Sequence, residues 1–255
     1  AIKLINPINI DLSLMRTTLA PQMIRAMARN QKRDLLEGRI FEIGNAFIPK
    51  SLPLTEYPDE RETLCVGIFG EEESFYKLKG FAKIVADCFD LKFTYEAATK
   101  PFLHPYQTAE IFCNDEKIGY LGKVSYEIMD DLDMRVPSFV MELDLSLLSK
   151  YYANEQKFIP LPKFAIEKRD FAFVVDKDVS CAAIENGIKE ACKYVTDVKL
   201  FDVYEGLKLG LNKRSMAFSV VFTPQNEEFN DEKIEGYVKK ILKNLEAKLG
   251  VTLRG

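Results

Sequence analysis

Lys213-Arg214-Ser215-Met216-Ala217-Phe218-Ser219-Val220-Val221-Phe222 alternates large apolar residues with small or polar ones, the period of a strand with two unlike faces. Met216, Phe218, Val220 and Phe222 must meet a core, which leaves Ser215, Ala217 and Ser219 looking the other way. Before it, Asp197 to Glu205 forms a second strand, joined by the glycine-containing loop Gly206 to Asn212. Further upstream Arg169 to Val175 is a strand, and Ser180 caps a helix with Ile184, Ile188, Ala191 and Cys192 on one side. Downstream, Asn230 caps a long helix carrying Ile234, Tyr237, Val238, Ile241, Leu242, Leu245 and Leu249. Gly250 stops that helix, and Val251 to Arg254 makes a short last strand. The order is β-α-β-β-α-β, the ferredoxin-like arrangement. It places both helices on one face of a four-stranded sheet and can leave the other face bare.

Strand parity says what that bare face carries. With Phe171, Phe173 and Val175 inward, Asp170, Ala172 and Val174 face out; with Phe201 and Val203 inward, Asp202 and Tyr204 face out. Lys213 and Arg214 border the surface. Small side chains around one ring and one carboxylate suit an unstacked base, because base–aromatic stacking contributes roughly 1–3 kcal/mol and proteins read RNA sequence mostly in single-stranded loops. An ionised carboxylate only accepts hydrogen bonds. Asp202 therefore matches the N–H groups on the Watson–Crick edge of guanine and mismatches the ring nitrogen of adenine. The plainer alternative is that Tyr204 covers the sheet and Asp202 is a solvated charge, since this fold alone implies no function.

The residues before this region are of mixed type. Pro21 begins a helix running to about Arg33, with Met23, Ile24 and Met27 on one side. Arg39 to Phe47 alternates as a strand with Phe41, Ile43 and Phe47 on one face, and Leu64 to Phe69 is another strand. Phe75 to Phe89 is a helix with Phe81, Ile84, Val85, Cys88 and Phe89 as its buried stripe. Thr108 to Cys113 and Lys117 to Val124 flank Asn114-Asp115-Glu116 as a hairpin, and Phe139 to Leu145 is a last strand. The fold class is α+β: an antiparallel-sheet module over 1–150, a Pro-containing linker at 151–162, and the ferredoxin-like domain over 163–255.

Bulk properties narrow the function. The 255 residues are 47% hydrophobic and 29% charged, values of a globular protein. No apolar run reaches the roughly 20 residues a membrane helix needs. The start has no signal-peptide pattern and reads as the cut end of a longer cytosolic chain. The net charge of -4 argues against indiscriminate coating of nucleic acid. Residues 163–255 hold 16 Lys/Arg against 15 Asp/Glu, whereas 1–162 hold 19 against 24, a weak asymmetry towards the second region. The five cysteines, Cys65, Cys88, Cys113, Cys181 and Cys192, have no zinc or redox spacing. Cys88 and Cys192 sit at apolar positions of helical patterns, as small hydrophobes in a reducing compartment.

Several segments resemble one family. Phe164 to Asp176, Leu200-Phe201-Asp202-Val203-Tyr204-Glu205-Gly206, Lys213 to Phe218 and Leu249 to Arg254 are similar to the ferredoxin-fold anticodon-binding domain of bacterial phenylalanyl-tRNA synthetase β subunits. Upstream, Asn6-Pro7-Ile8, Met15-Arg16-Thr17, Phe41-Glu42-Ile43-Gly44, Leu103-His104-Pro105 and Glu142-Leu143-Asp144 resemble the class II synthetase-like module before it. The resemblance implies a non-catalytic part of phenylalanine–tRNA ligase that binds tRNA-Phe and scaffolds a catalytic α subunit in an α2β2 assembly. ATP and magnesium are then expected on that α subunit and no cofactor here. It also implies that Tyr204 stacks on the first anticodon base, a guanine, while Asp202 hydrogen-bonds to it. Lys213, Arg214 and Ser215 would hold the loop or its phosphates, with help from Arg169.

The residues themselves bear on that expectation. After Phe139 to Leu145 no glycine-rich strand–helix motif ending in Arg follows, and the chain runs into the linker. Gly206 to Arg214 has glycines and a basic pair but lies between strands, without phosphate-loop spacing. His104 is the only histidine, so no histidine-based metal cluster can form; a general-base role lacks a nearby nucleophile, and a structural turn is the simpler reading. Arg25, Arg29, Lys32 and Arg33 form a charged helix face, for solvent, a subunit or tRNA. A rival is a small-molecule enzyme on the same frame, of the acyl-phosphate hydrolase type. Its anion cradle is not supplied by the acidic loop Asp176-Lys177-Asp178-Val179. A pure protein-interaction module is the third reading.

Overall fold

The computed structural model describes residues 1–10, 13–152, 161–206, 209–210, 212–225 and 228–254. The chain forms two compact units, Ala1–Gln156 and Lys157–Gly255. The expected linker at 151–162 falls largely on 153–160, outside the described residues.

The first unit is a six-stranded antiparallel sheet in the order β1-β2-β6-β5-β4-β3. Its strands are β1 (Gly38–Ile48), β2 (Asp59–Phe69), β3 (Thr94–Ala97), β4 (Leu103–Cys113), β5 (Glu116–Val124) and β6 (Ser138–Asp144). Helix α1 (Ala20–Gln31) covers one face, packing Met23 and Met27 with Cys65, Tyr120 and Val140. Helices α2 (Phe75–Cys88) and α4 (Leu145–Tyr151) cover the other, packing Leu78, Ala82 and Leu148 with Leu64, Ile68, Leu121 and Met141. Each large side chain so buried contributes about 1.5–3 kcal/mol. The hairpin between β4 and β5 turns on Asn114 and Asp115 at φ 48 and 65, the left-handed conformation that these two residue types tolerate.

Three expectations change here. The buried line of α2 is Leu78, Ala82 and Ala86, with Phe81, Val85 and Phe89 at its flanks; Ile84 and Cys88 are exposed. The aromatics misled because large residues flanking a stripe look like its centre. Phe41 and Ile43 do share a face but lie exposed on edge strand β1, whose Ile40 and Ala46 carry the packing with α1 from the other face. Asp144 accepts from the Leu147 amide at 2.9 Å and starts α4 directly, a helix not foreseen between the last strand and the linker. The short helix α3 (Tyr126–Asp131) and β3 were not foreseen.

Helix α1 lacks a side-chain cap of its own: Leu19 holds the cap position. Glu142 on β6 supplies it from a distance. Its Oε2 accepts from the amides of Leu19 and Ala20, both at 3.0 Å, from Thr18 Oγ1 at 2.6 Å and from the Tyr120 hydroxyl at 3.2 Å. One carboxylate thus ties the helix start, with its positive dipole end, to the central strands.

The second unit is a four-stranded sheet in the order β10-β7-β9-β8. It comprises β7 (Glu167–Asp176), α5 (Cys181–Ala191), β8 (Val195–Tyr204), β9 (Lys213–Phe222), α6 (Asp231–Leu249) and β10 (Thr252–Leu253), all pairs antiparallel. Ser180 and Asn230 cap the helices through the Ala183 and Lys233 amides, and Gly250 closes α6 at φ 63. Both helices pack on one face, over Phe171, Phe173, Val175, Val198, Met216, Phe218, Val220 and Phe222. The ferredoxin-like order and its helix-free second face are therefore present.

Candidate nucleic-acid interface

Register builds the helix-free face in rows. Ala172 pairs with Ala217 and Ala217 with Asp202; Val174 pairs with Ser215 and Ser215 with Tyr204. Directly paired residues share a face, so Asp202 and Tyr204 stand side by side on the face that α5 and α6 leave free. Ser219 lies on it too, opposite Asp170 and Lys199, and its buried Oγ has no hydrogen-bond partner among the described residues. Asp202 is exposed, with no ion pair or side-chain hydrogen bond among the described residues.

The parity within β8 is corrected. Val198 and Leu200 face the helices, and the register slips between Leu200 and Asp202, which leaves Phe201 unpaired and 56% exposed. Phe201 is therefore a bulge residue and no part of the core, against the expected inward position. Val203 pairs with Met216 and does stand on the helix side, though half-exposed beyond the helices. The two residues of interest keep their outward placement because the bulge restores it.

The basic residues divide. Lys213 has the outward parity of Ser215 and is exposed at the strand end. Arg214 pairs with Val175 on the helix side, where its Nη2 donates to the Val179 carbonyl at 2.7 Å and its buried Nε has no partner among the described residues. Its expected place beside the bare face is corrected: alternation sends neighbours to opposite sides. Arg169 pairs with Val220, also on the helix side and at the far end of β7, where it meets Glu167 at 3.0 Å. The structure does not bring Arg169 to Asp202 and Tyr204. Near Arg214, Glu205 is held below the usual carboxylate range by a hydrogen bond from Lys177, with Arg214 adding to it. Loop residues 207, 208 and 211 lie outside the described residues.

Ser215 and Ala217 are buried although neither helix covers them. Arg254 reaches this face from across the sheet. The Arg254 amide donates to the Ala172 carbonyl at 2.7 Å, fixing its backbone beside β7, and its guanidinium carbon lies 5.1 Å from the Tyr204 ring centroid. The ring also lies against Gly206, where a Cβ would overlap the phenol. Arg254 was missed from sequence because it follows a strand of only two residues, and only the sheet order brings it opposite Tyr204.

The first unit offers other chemistry less readily. A cavity of about 210 Å³ is lined by Arg61, Lys117, Tyr120, Glu142 and Asp144 among others. These charges are already engaged: Arg61 with Asp59 at 2.7 Å and Asp144 at 3.7 Å, Lys117 with Glu110, and Glu142 with the start of α1. His104 Nδ1 accepts from the Tyr106 amide at 3.2 Å, and both residues lie in β4 where a turn was expected. No cluster of three metal-ligating side chains occurs among the described residues. Lys32 of the basic helix face pairs with Asp133 at 2.9 Å, and Arg25, Arg29 and Arg33 are exposed. No helix among the described residues is long and apolar enough to cross a membrane.

Residues 1–145 match the family described as the phenylalanyl tRNA synthetase beta chain CLM domain. The chain belongs to the phenylalanyl-tRNA synthetase β-chain family. Residues 162–254 of this β-family chain match a second family, the ferredoxin-fold anticodon binding domain. The phenylalanine–tRNA ligase beta subunit of Clostridium tetani is 36% identical over 99% of the chain and 32% of its own length. That of Carboxydothermus hydrogenoformans is 32% identical over 100% of the chain and 33% of its own length. The chain thus spans about a third of these relatives. Pyrrolysyl-tRNA synthetase from Desulfitobacterium hafniense superposes with a TM-score of 0.42 at 19% identity, over 52% of this chain and 48% of that one, a likeness too weak to define the fold.

Proposed function

We propose that this β-family chain holds the anticodon loop of the tRNA that accepts phenylalanine, on the helix-free face of its second unit. Tyr204 is the platform on which the first anticodon base stacks, and Asp202 accepts that base's N1–H and N2–H when it is guanine. Ala172, Ala217 and Ser215 keep the sheet low enough for a base to approach. Lys213, exposed at the rim, meets a phosphate. The observation that carries this reading is the register, which sets a ring and an unpaired carboxylate in adjacent rows of a face that no helix of the unit covers. The match of this segment to an anticodon-binding family supports it.

In this reading the chain contributes no chemistry of its own. It scaffolds an α subunit in an α2β2 ligase, and the α subunit binds ATP and magnesium for aminoacylation. The engagement of the cavity charges in ion pairs and in capping α1 supports assigning the chemistry elsewhere.

The test uses the intact β chain in its assembled enzyme, with tRNA-Phe bearing guanine or adenine at the first anticodon position and stated salt. Tyr204→Ala should weaken both tRNAs by about 1–3 kcal/mol. Asp202→Asn should weaken the guanine tRNA by a similar amount and erase its advantage over adenine, because the amide now presents a donor to N1–H and N2–H. Wild-type affinities for both variants would remove the face from consideration.

A further inference from the structure

Arg254 reaches Tyr204 from the opposite edge of the sheet. Strand β10 borders β7 and β8 is the other margin, so about three strand spacings, roughly 14 Å, separate the two backbones. The Arg254 backbone sits on the row of Ala172, Ala217 and Asp202. Between its backbone and Asp202 that row carries only two methyl groups, so a long side chain can lie across it. It does, and it ends with the guanidinium over the phenol face.

We propose that Arg254 is the second wall of the base slot: the first anticodon base is held between the Tyr204 ring and the Arg254 guanidinium. This rests on the function proposed above and adds to it a residue and a binding geometry. The guanidinium now occupies the ring face that the base would take. Two stacked layers need about 3.5 Å each, against 5.1 Å between guanidinium and ring, so Arg254 must withdraw by about 2 Å. Its three-methylene side chain can do so while the backbone bond to Ala172 holds. The free protein thereby keeps its platform covered, and the same group closes over the base after entry. A guanidinium plane stacks on any base, so Arg254 contributes affinity, while discrimination stays with Asp202.

The test again uses the intact β chain in its assembled enzyme and the guanine and adenine forms of tRNA-Phe. Arg254→Ala and Arg254→Lys should each weaken both tRNAs by about 3- to 30-fold, with their ratio unchanged. Lysine should fail to rescue because it keeps the charge and loses the plane. Thermal melting of both variants, unchanged from wild type, shows the sheet intact. If Arg254→Lys binds like wild type, the residue is a plain charge contact and the slot is refuted. If Arg254→Ala binds like wild type while Tyr204→Ala is weakened, the second wall falls and the platform stands. If Tyr204→Ala is also unaffected, the anticodon reading itself has failed.

Discussion

Replacing Glu142 should loosen the first unit at the start of α1, by amounts that depend on what replaces it. In Glu142→Gln the amide oxygen can still accept from the Leu19 and Ala20 amides. What goes is the negative charge at a helix N-terminus, worth about 0.3–1 kcal/mol and up to ~2 when partly buried. In Glu142→Ala both amides lose their acceptor. Ala20 retains a weak contact with Thr18 Oγ1 at 3.4 Å, and Thr18 and Tyr120 lie 3.2 Å apart and can satisfy each other. Only the Leu19 amide is stranded outright, at about 1–3 kcal/mol, added to the lost charge. The expected losses are about 1 kcal/mol for glutamine and about 2–4 kcal/mol for alanine.

Residue-level hydrogen exchange under increasing urea measures this within the first unit alone. The Leu19 and Ala20 amides and those of the first turn of α1 should lose protection in the order wild type, glutamine, alanine. Tyr120 gives an independent check. Burial pushes its phenol up, and the Glu142 charge pushes it further, so Glu142→Gln should lower its alkaline titration towards the ordinary phenol range while leaving it raised by burial. Equal losses for glutamine and alanine, or an alanine loss below about 1 kcal/mol, would refute the claim that this carboxylate caps the helix.

Three further outcomes follow from the geometry. Gly206→Ala puts a Cβ into the Tyr204 phenol, so the ring must tilt; tRNA binding should weaken by about 1–3 kcal/mol with the melting temperature unchanged, and unaltered binding would show that the ring's position is immaterial. Burial pushes the Tyr95 phenol up to about 12 and raises Tyr120 and the Cys65 thiol as well. The folded unit then holds protons that the unfolded chain releases from about pH 8.5–10 upward. Its stability should be level below that range and fall as pH rises through it; urea midpoints equal at pH 9 and pH 11 would contradict this. Arg169→Ala should leave the preference for guanine over adenine unchanged in the same binding assay, since Arg169 stands on the helix side beside Glu167, and a loss matching Asp202→Asn would place the site elsewhere.

Much of this was legible in the sequence, for a definite reason. Strands β7 and β9 alternate cleanly because each has one face on a helix layer and one free of it, so Phe171, Phe173, Met216 and Phe218 declare the inside. Helix caps at Ser180 and Asn230 and the stop at Gly250 are local chemistry, readable without neighbours. The candidate site was legible only in part. Arg214 and Arg169 were grouped with it through the family resemblance, which carries no information about face here; their pairing with Val175 and Val220 does. Arg254 and the capping role of Glu142 depend on contacts across 50 and more than 120 residues of chain, which no local period encodes.

Strand β8 shows how a correct placement can rest on an incorrect premise. Strict alternation backwards from Asp202 and Tyr204 would send Val198 and Leu200 outward and Lys199 into the core. A charged Lys199 cannot be buried there unpaired, and the structure turns it out, opposite Ser219. Both halves of the strand meet their needs only if one residue is left out of the ladder, and Phe201 is that residue. A bulge re-aims the side chains that follow it. Without it, the inward Leu200 would impose inward positions on Asp202 and Tyr204, setting a carboxylate opposite Met216 and a phenol opposite Arg214 on the helix side. The bulge is thus the physical link between the core of the second unit and its bare face: it lets Val198 and Leu200 serve the first while Asp202 and Tyr204 serve the second.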